Sequence, residues 1–429
     1  MARFRRNVVA ALLVLAFVGL TEVRGAVTQP GPVDHSGEIN GAPFRVVVPA
    51  AWNGTLLVFQ RRYTDKADHP GEIEDRTPNI SSSGALRDAL LAGGYALAGT
   101  ARSGWSVEEG LQDNVALVSY FRENLAKPVN TILWGDCLGG LIVQETAERD
   151  GGAFDGYLAL CSIGAGATQL ADHFLVLRLA YDITFGMPGS WGTPGDVRDD
   201  LDFETEVGPI LFAQLSDPAH FGRFEFIRLV SGIPGSGITP PPGLFPGRLF
   251  DHVFVGATEG TAEGERRAGG PVAQNIDHSY SLTEAEKAYL TSLGVDADPL
   301  LEAMNARRNI AAPQGPRNYA KHFADFSGLI KRPVLTVHAA IDELYPVAHE
   351  SAYRKKITAA RRDNLLVQVY TTGVGFCGVS LAQRLAAIQA IDAWTRTGIR
   401  PLPSAFPAAL GFNPGFEPPA WPQSDGGPE

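Results

Sequence analysis

The sequence is short of positive charge, and this shortage excludes two classes of partner. Acidic residues number 47 against 36 basic ones, which gives a formal net charge of −11, and no basic run follows the first six residues. Such a chain is not attracted to nucleic acid or to anionic lipid. Zinc-site spacing, a glycine-rich phosphate loop and a dinucleotide fingerprint are also missing, so we expect no metal and no cofactor.

Long apolar runs are almost absent. One stretch, from Val8 to Leu20, follows the basic start of the chain and precedes the small residues Gly25 and Ala26. This stretch is shorter than the apolar segment of a typical membrane-spanning helix, and no other run reaches about 18 apolar residues. This pattern is typical of a signal peptide, which we place at 1–26. We therefore predict a secreted or extracytoplasmic protein with no stable membrane insertion after cleavage.

Cysteine is scarce, since the chain has only Cys137, Cys161 and Cys377. An odd number leaves one thiol free or paired with another chain. Cys161 and Cys377 each follow a strand-like segment, and strands of one parallel sheet would bring both residues to the same edge of that sheet. Because export permits disulfide formation, we predict a Cys161–Cys377 bridge with Cys137 free. Three reduced thiols stay open as the alternative.

The most informative segment surrounds Cys137. A short apolar run leads into Gly135-Asp136-Cys137-Leu138-Gly139, and a helical pattern follows. This order of strand, G-x-nucleophile-x-G turn and helix spells a nucleophile elbow, with a thiol in place of the usual serine hydroxyl. The glycines permit a sharp turn that exposes the middle side chain at a helix N-terminus. There the unpaired N–H groups favour an anion, so we expect the Cys137 thiol to ionise easily.

Short apolar runs alternate with helical patterns along the chain. The runs are continuous, which is typical of strands buried on both faces of a mostly parallel sheet. Strands and helices in alternation predict the α/β class with right-handed crossovers. The predicted strands are 44–49, 55–60, 95–100, 131–134, 156–160, 333–338 and 365–371. The predicted core helices are 83–91, 111–125, 138–150 and 380–395.

The interval between Cys161 and Lys331 interrupts this alternation. It contains helical stretches and many large apolar side chains, so we predict an inserted helical cap that encloses a roomy apolar pocket. The alternative for each aromatic residue is a place in the cap's own core. The predicted division of the chain is a signal peptide at 1–26, a core at 27–162 and 331–400, a cap at 163–330 and a Pro/Gly-rich tail at 401–429.

These elements together resemble secreted, capped α/β-hydrolase-fold proteins of the actinobacterial lipase and peptidase type, over residues 40–398. The elbow matches G-x-S-x-G. Asp342 lies where the family carries its acid after the next-to-last strand, and Gly373-Val-Gly-Phe376-Cys377 resembles the loop that carries the catalytic histidine. Nucleophile, acid and histidine position follow in the order that this fold uses. The resemblance implies a triad at Cys137, Asp342 and position 376.

Two departures from the family concern the triad itself. Cys137 replaces serine, which is compatible with nucleophilic catalysis because a thiolate is a good nucleophile. Its alternative is a small buried cysteine. Phe376 fills the histidine slot, and phenylalanine can neither accept nor donate the proton that acyl transfer requires. Asp342 then has no imidazole to orient, and is either a retained structural carboxylate or a general base.

A third departure is the pair Arg61-Arg62, where relatives usually carry His-Gly in a loop that contributes to the oxyanion hole. Two interpretations are open: surface arginines, or a guanidinium that stabilises an anionic oxygen. A remote histidine could also replace the missing one. The candidates, near the altered loop or in the cap, are His69, His173, His220 and His278.

Three functions remain open at this point. The departures favour a non-hydrolytic enzyme on the hydrolase scaffold, catalysing addition, cyclisation or carbon–carbon coupling on a bulky apolar or aromatic, natural-product-like substrate in secondary metabolism. Arg61 or Arg62 would then stabilise an oxyanion, and Cys137 or Asp342 would act as nucleophile or proton carrier. The alternatives are a cysteine esterase, thioesterase or acyltransferase with a remote histidine, and a non-catalytic protein that binds an apolar ligand.

Overall fold

An eight-stranded sheet forms the centre of the computed structural model, which describes residues 32–64, 73–149, 152–235 and 247–421. The predicted signal peptide lies outside these residues. The strands are β1 (Val33–Ile39), β2 (Ala42–Val48), β3 (Thr55–Gln60), β4 (Ala96–Thr100), β5 (Asn130–Asp136), β6 (Gly156–Leu160), β7 (Val334–Ile341) and β8 (Leu366–Val374).

The order of strands across the sheet is β1-β2-β4-β3-β5-β6-β7-β8. β2 pairs antiparallel with β1 and with β4, and the remaining pairs are parallel. This mostly parallel sheet, flanked by helices, has the α/β-hydrolase fold, which confirms the predicted fold class. Because β1 and β2 stand at one edge, the parallel strands that carry the elbow lie in the middle of the sheet.

Both faces of the sheet are covered, which explains why its strands are continuous apolar runs. Leu56 and Val58 of β3 face one side, while Leu57 and Phe59 face the other, and all four are buried. The core helices are α1 (Gly84–Ala92), α2 (Val107–Asn124), α3 (Leu138–Arg149), α12 (His349–Ala359) and α13 (Leu381–Thr397). Helices α2 and α3 pack on the first side of the sheet, and α1 and α13 pack on the second.

A mainly helical cap is inserted between β6 and β7. Its helices are α4 (Ala167–Phe185), α5 (Gly208–Leu215), α6 (Phe221–Val230), α7 (Gly247–Ala257), α8 (Glu259–Ala268), α9 (Glu284–Ser292), α10 (Ala297–Ala306) and α11 (Gln314–Ala324). Tyr181, Trp191, Phe224 and Phe226 are buried together, so these aromatic residues belong to the cap's own core. Within the part of the chain that the structure describes, no helix is both long and apolar enough to cross a membrane.

The cap is fastened to the core through Glu263 of α8. One carboxylate oxygen accepts a hydrogen bond from the Tyr63 hydroxyl at 2.8 Å, and the other accepts one from the backbone N–H of Trp105 at 2.7 Å. Arg267, one turn further along α8, donates two hydrogen bonds to Glu109 of α2, at 2.9 and 3.0 Å. These contacts fix α8, and with it the neighbouring helix α7, over the carboxyl edge of the sheet.

The tail after α13 runs back over the molecule as an irregular strap. Asn413 N–H donates to Tyr370 O of β8 at 2.7 Å. The ring of Trp421 lies 4.4 Å from the imidazole of His349 and 5.3 Å from that of His173, both of which are buried. The strap therefore joins the start of α12 in the core to α4 in the cap.

Cys161, at the end of β6, and Cys377, just after β8, are joined by a disulfide bond. Replacing both residues with alanine should lower the free energy of unfolding by about 2–5 kcal/mol, because the bond restricts the unfolded chain. Urea unfolding followed by tryptophan fluorescence measures this change. Reduced wild-type protein should match the double variant, and equal stability of oxidised wild type and variant would contradict the expectation.

Candidate active site

The turn between β5 and α3 has the geometry of a nucleophile elbow. Cys137 adopts a left-handed conformation, with φ of 62°, which is strained for a residue with a Cβ. Its backbone N–H donates to Leu160 O at 3.0 Å. A Cβ on Gly135 would come within 2.6 Å of Gln60 O, and one on Gly139 within 2.3 Å of the same atom. The end of β3 can therefore approach the elbow only because both positions are glycine.

The Cys137 thiol is buried, with 3% of the residue exposed, and its Sγ lies 3.5 Å from Tyr345 Oη. Burial raises the pKa of this thiol to about 11. The Tyr345 hydroxyl and the Leu138 N–H oppose this rise, and the charge of Asp136 adds to it. The expectation of easy ionisation is therefore wrong, because desolvation outweighs the effect of the helix N-terminus.

Cys137 lines an apolar cavity of about 210 Å³ between the core and the cap. This volume is below the 300–1,000 Å³ that is usual for sites of drug-sized ligands. Tyr345 and Phe376 line the cavity from the core, and Phe174 and His252 line it from the cap. Within the described residues, no cluster of three or more His, Cys, Asp or Glu side chains could hold a metal ion.

The Asp342 carboxylate is committed to the backbone of two loops. It is buried, and its Oδ1 accepts hydrogen bonds from the N–H groups of Leu344 and Tyr345 at 3.1 and 3.0 Å. Its Oδ2 accepts one from Cys377 N–H at 2.8 Å. Burial raises the pKa of this carboxyl to about 6, against the opposing charge of His338. These contacts support the structural interpretation of Asp342.

Phe376 lines the cavity together with Cys137, and its ring lies near one aromatic residue of the core and one histidine of the cap. Its ring centroid lies 6.0 Å from that of Tyr345 and 5.7 Å from the imidazole of His252. Its backbone N–H donates to Glu343 Oε1 at 3.0 Å, and the same oxygen lies 3.9 Å from His252 Nδ1. A carboxylate and an imidazole therefore lie near each other beside Phe376, the residue at the predicted histidine position.

The two arginines that follow β3 point in different directions. Arg61 is buried and donates to the carbonyl and the Oδ2 of Asp75, at 3.0 and 3.2 Å, outside the cavity. Arg62 lines the cavity with its side chain 48% exposed, and its Nη2 lies 3.5 Å from Asp136 Oδ2. Contrary to the expectation for Arg61, the structure does not bring it to the thiol, because Asp75 holds its guanidinium outside the cavity. Arg62, in contrast, lines the cavity together with Cys137.

Among the residues that the structure describes, the histidine that lines the cavity was not named as a candidate from the sequence. His69 lies outside the described residues. His173, His220 and His278 all lie in the cap, and none of them lines the cavity. His252 of α7 does line it.

Sequence reasoning missed three residues of the site: Glu343, Tyr345 and His252. Glu343 and Tyr345 follow Asp342 almost directly, so their closeness to the predicted acid was a usable signal. No comparable signal marks His252, because its position depends on how α7 packs over the core.

No family model matches the chain. It is 23% identical over 413 residues to the o-phthalyl amidase of Xanthobacter agilis, a similarity that spans 84% of this chain and 86% of that protein. Among solved structures, it is similar to an esterase from Aspergillus oryzae, with 15% identity, coverage of 86% and 80% of the two chains and a TM-score of 0.40. It is also similar to epoxide hydrolase A from Mycobacterium thermoresistibile, with 17% identity, coverage of 84% and 97% and a TM-score of 0.39. The fold itself follows from the strand order of the sheet.

We expect native Cys137 to react slowly with iodoacetamide at pH 8. With a pKa of about 11 in place of the ordinary 9.0, its thiolate fraction is about 100-fold smaller, and the rate should rise about tenfold per pH unit up to pH 10. Mass spectrometry of the oxidised protein, in which Cys137 is the free cysteine, measures the rate. Protein unfolded in guanidinium should react at the ordinary rate, whereas a fast reaction of the native thiol with no pH dependence would contradict the expectation.

Proposed function

We propose that this chain is a hydrolase in which Cys137 attacks the carbonyl carbon of an amide or ester of a small apolar acid. The observation that carries the proposal is the position of Cys137 Sγ, which stands at the tip of the elbow, faces an apolar cavity and lies 3.5 Å from Tyr345 Oη. A residue held in a strained conformation at a cavity wall is typical of a nucleophile rather than of a packing residue. The Leu138 N–H, at the start of α3, supports the oxyanion that forms.

Tyr345 provides the proton path for the first half of this reaction. Burial raises the pKa of Cys137 to about 11 and raises that of Tyr345 well above its ordinary value, so both groups are neutral at pH 7. A relay between neutral groups avoids placing an unpaired charge in an apolar cavity. The thiol proton moves to Tyr345 Oη while the phenol proton moves to the leaving nitrogen or oxygen. The S–C bond forms, the bond to the leaving group breaks, and a thioester remains on Cys137.

The cavity favours an acyl group built on one aromatic ring. A cavity of about 150 Å³ can hold benzene, so about 210 Å³ accommodates one ring with its carbonyl group. The name of the amidase relative, an o-phthalyl amidase, supports an amide of an aromatic acid. Arg62 brings a positive charge to the cavity wall, where it suits an oxyanion or a carboxylate on the ring. We therefore do not retain a bulky natural-product-like substrate.

The non-hydrolytic reaction that the sequence favours has no support from the comparisons. Its premise was the set of departures at Cys137, Phe376 and Arg61-Arg62. Tyr345 and His252 both line the cavity, and in this proposal they carry the protons that Phe376 cannot. The proposal thus lies closest to the alternative of a cysteine esterase or acyltransferase with a remote histidine.

We also propose that the protein is exported, with a signal peptide at 1–26. The N-terminal pattern and the Cys161–Cys377 bond support this, because disulfides persist in oxidising compartments. Expression in an actinobacterial host should yield protein in the culture medium that lacks these residues, as N-terminal sequencing would show. Retention of the intact N-terminus in the cytoplasm would contradict export.

The proposed function is tested by trapping an acyl group on Cys137. Wild-type protein should release p-nitrophenol from p-nitrophenyl benzoate and p-nitroaniline from benzoyl-p-nitroanilide, and intact-mass analysis after acid quenching should detect the benzoyl adduct. Cys137→Ala should abolish turnover and adduct. Tyr345→Phe should lower kcat roughly 10²- to 10³-fold with little change in KM, because it removes the proton path.

Tyr370→Phe is the matched control, since the Tyr370 hydroxyl accepts a hydrogen bond from Arg354 Nη2 at 3.1 Å and Tyr370 does not line the cavity. It should keep kcat within about threefold of wild type. Turnover that survives in Cys137→Ala would overturn the proposal. A wild-type protein that binds the esters but never forms an adduct would instead be a non-catalytic binding protein.

A further inference from the structure

A thioester on Cys137 has to be hydrolysed before the enzyme can turn over again, and the attacking water must lose a proton. Phe376 cannot accept it. Asp342 is committed to the backbone N–H groups of two loops, at 2.8 to 3.1 Å. Tyr345 is a neutral phenol at pH 7, so it can relay a proton only by giving up its own in the same step and cannot by itself hold the proton taken from water. The second half of the reaction therefore needs another base at the cavity.

His252 is placed to be that base. It lies on the cap helix α7 and lines the same cavity as Cys137. Half of its side chain is exposed, so solvent can reach the imidazole. Its ring centroid lies 5.7 Å from that of Phe376, the residue at the predicted histidine position.

Glu343 gives the imidazole a carboxylate partner. Its side chain is 7% exposed, and its Oε1 lies 3.9 Å from His252 Nδ1. The same oxygen accepts the backbone N–H of Phe376 at 3.0 Å, which fixes the carboxylate in place. A carboxylate on the Nδ1 side stabilises the imidazolium that forms when Nε2 takes up a proton. The pair has the parts of an acid–histidine couple, although its histidine comes from the cap.

We propose that His252, with Glu343 as its positioning residue, is the base that activates water to hydrolyse the thioester on Cys137. This inference rests on the proposed function. The water oxygen attacks the thioester carbonyl carbon while one water proton moves to His252 Nε2. The C–S bond then breaks, the imidazolium returns its proton to the sulphur, and the free acid and the thiol are released.

Because His252 belongs to the cap, hydrolysis of the thioester requires the cap to be packed against the core. The nucleophile and Tyr345 belong to the core, whereas the base belongs to α7. The adjoining helix α8 is held to the core by the bonds from Glu263 to Tyr63 and to Trp105. Acylation thus depends on core residues, and deacylation depends on a residue that the cap supplies.

Pre-steady-state kinetics with p-nitrophenyl benzoate separates the two halves. His252→Gln should retain a burst of about one p-nitrophenolate per enzyme, while steady-state turnover falls roughly 100-fold and the benzoyl adduct accumulates. Glu343→Gln should also keep the burst, with a smaller fall in turnover. Free imidazole should restore turnover to His252→Ala, because the site is open to solvent.

The matched control is His220→Gln. His220 is a second cap histidine whose Nε2 lies 3.9 Å from a carboxylate oxygen of Asp217, but it does not line the cavity. Its variant should keep both the burst and the turnover of wild type.

The outcomes distinguish this inference from the proposed function. Full turnover in His252→Gln without an accumulated adduct would overturn the inference, while loss of activity in Cys137→Ala would still support the nucleophile. Loss of the burst in a folded His252→Gln protein would also overturn it, because His252 would then act in acylation. Turnover that persists in Cys137→Ala would overturn the proposed function itself.

Discussion

The arrangement of the site depends on the buried carboxylate of Asp342. Its bond to Tyr345 N–H sets the loop from which the phenol reaches Cys137 Sγ, and its bond to Cys377 N–H holds the segment that carries Phe376. The disulfide from Cys377 to the end of β6 fastens the same segment a second time. Removing the carboxylate would leave buried N–H groups unpaired, at a cost of about 1–3 kcal/mol each. An acid therefore stays necessary at this position even where no histidine uses it.

Tyr345 and His252, the two proposed proton carriers, differ in burial, and the burial of each suits the proton transfer proposed for it. Tyr345 is buried and lies against an equally buried thiol, which suits a relay between neutral groups in a medium of low dielectric. His252 is half exposed and faces a carboxylate, which suits a base that takes a proton from water and becomes charged. A single triad histidine must serve both steps from one position. In the proposed reaction, the buried Tyr345 serves acylation and the half-exposed His252 serves deacylation.

Features that depend on local sequence were predictable, and those that depend on the packing of separate elements were not. The β3 strand has its predicted bounds because all its side chains are buried, and the elbow follows from glycine spacing. β1 was missed because it is a largely exposed edge strand of mixed polarity. The pKa of Cys137 was predicted in the wrong direction because the sequence shows the helix N-terminus but not the cap above it. His252 was overlooked for the same reason.

The ring and the backbone N–H of Phe376 both make contacts in the candidate site. Its ring lies between the phenol of Tyr345 and the imidazole of His252, and its backbone N–H holds the carboxylate of Glu343. Phe376 lines the cavity together with Cys137, while the His252 side chain stays half exposed. Burial gives Cys137 its high pKa, which makes a free thiolate costly and, in the proposed reaction, a concerted transfer to Tyr345 the easier route. Phenylalanine at position 376 thus fits the proposed reaction, in which the two proton transfers are separated.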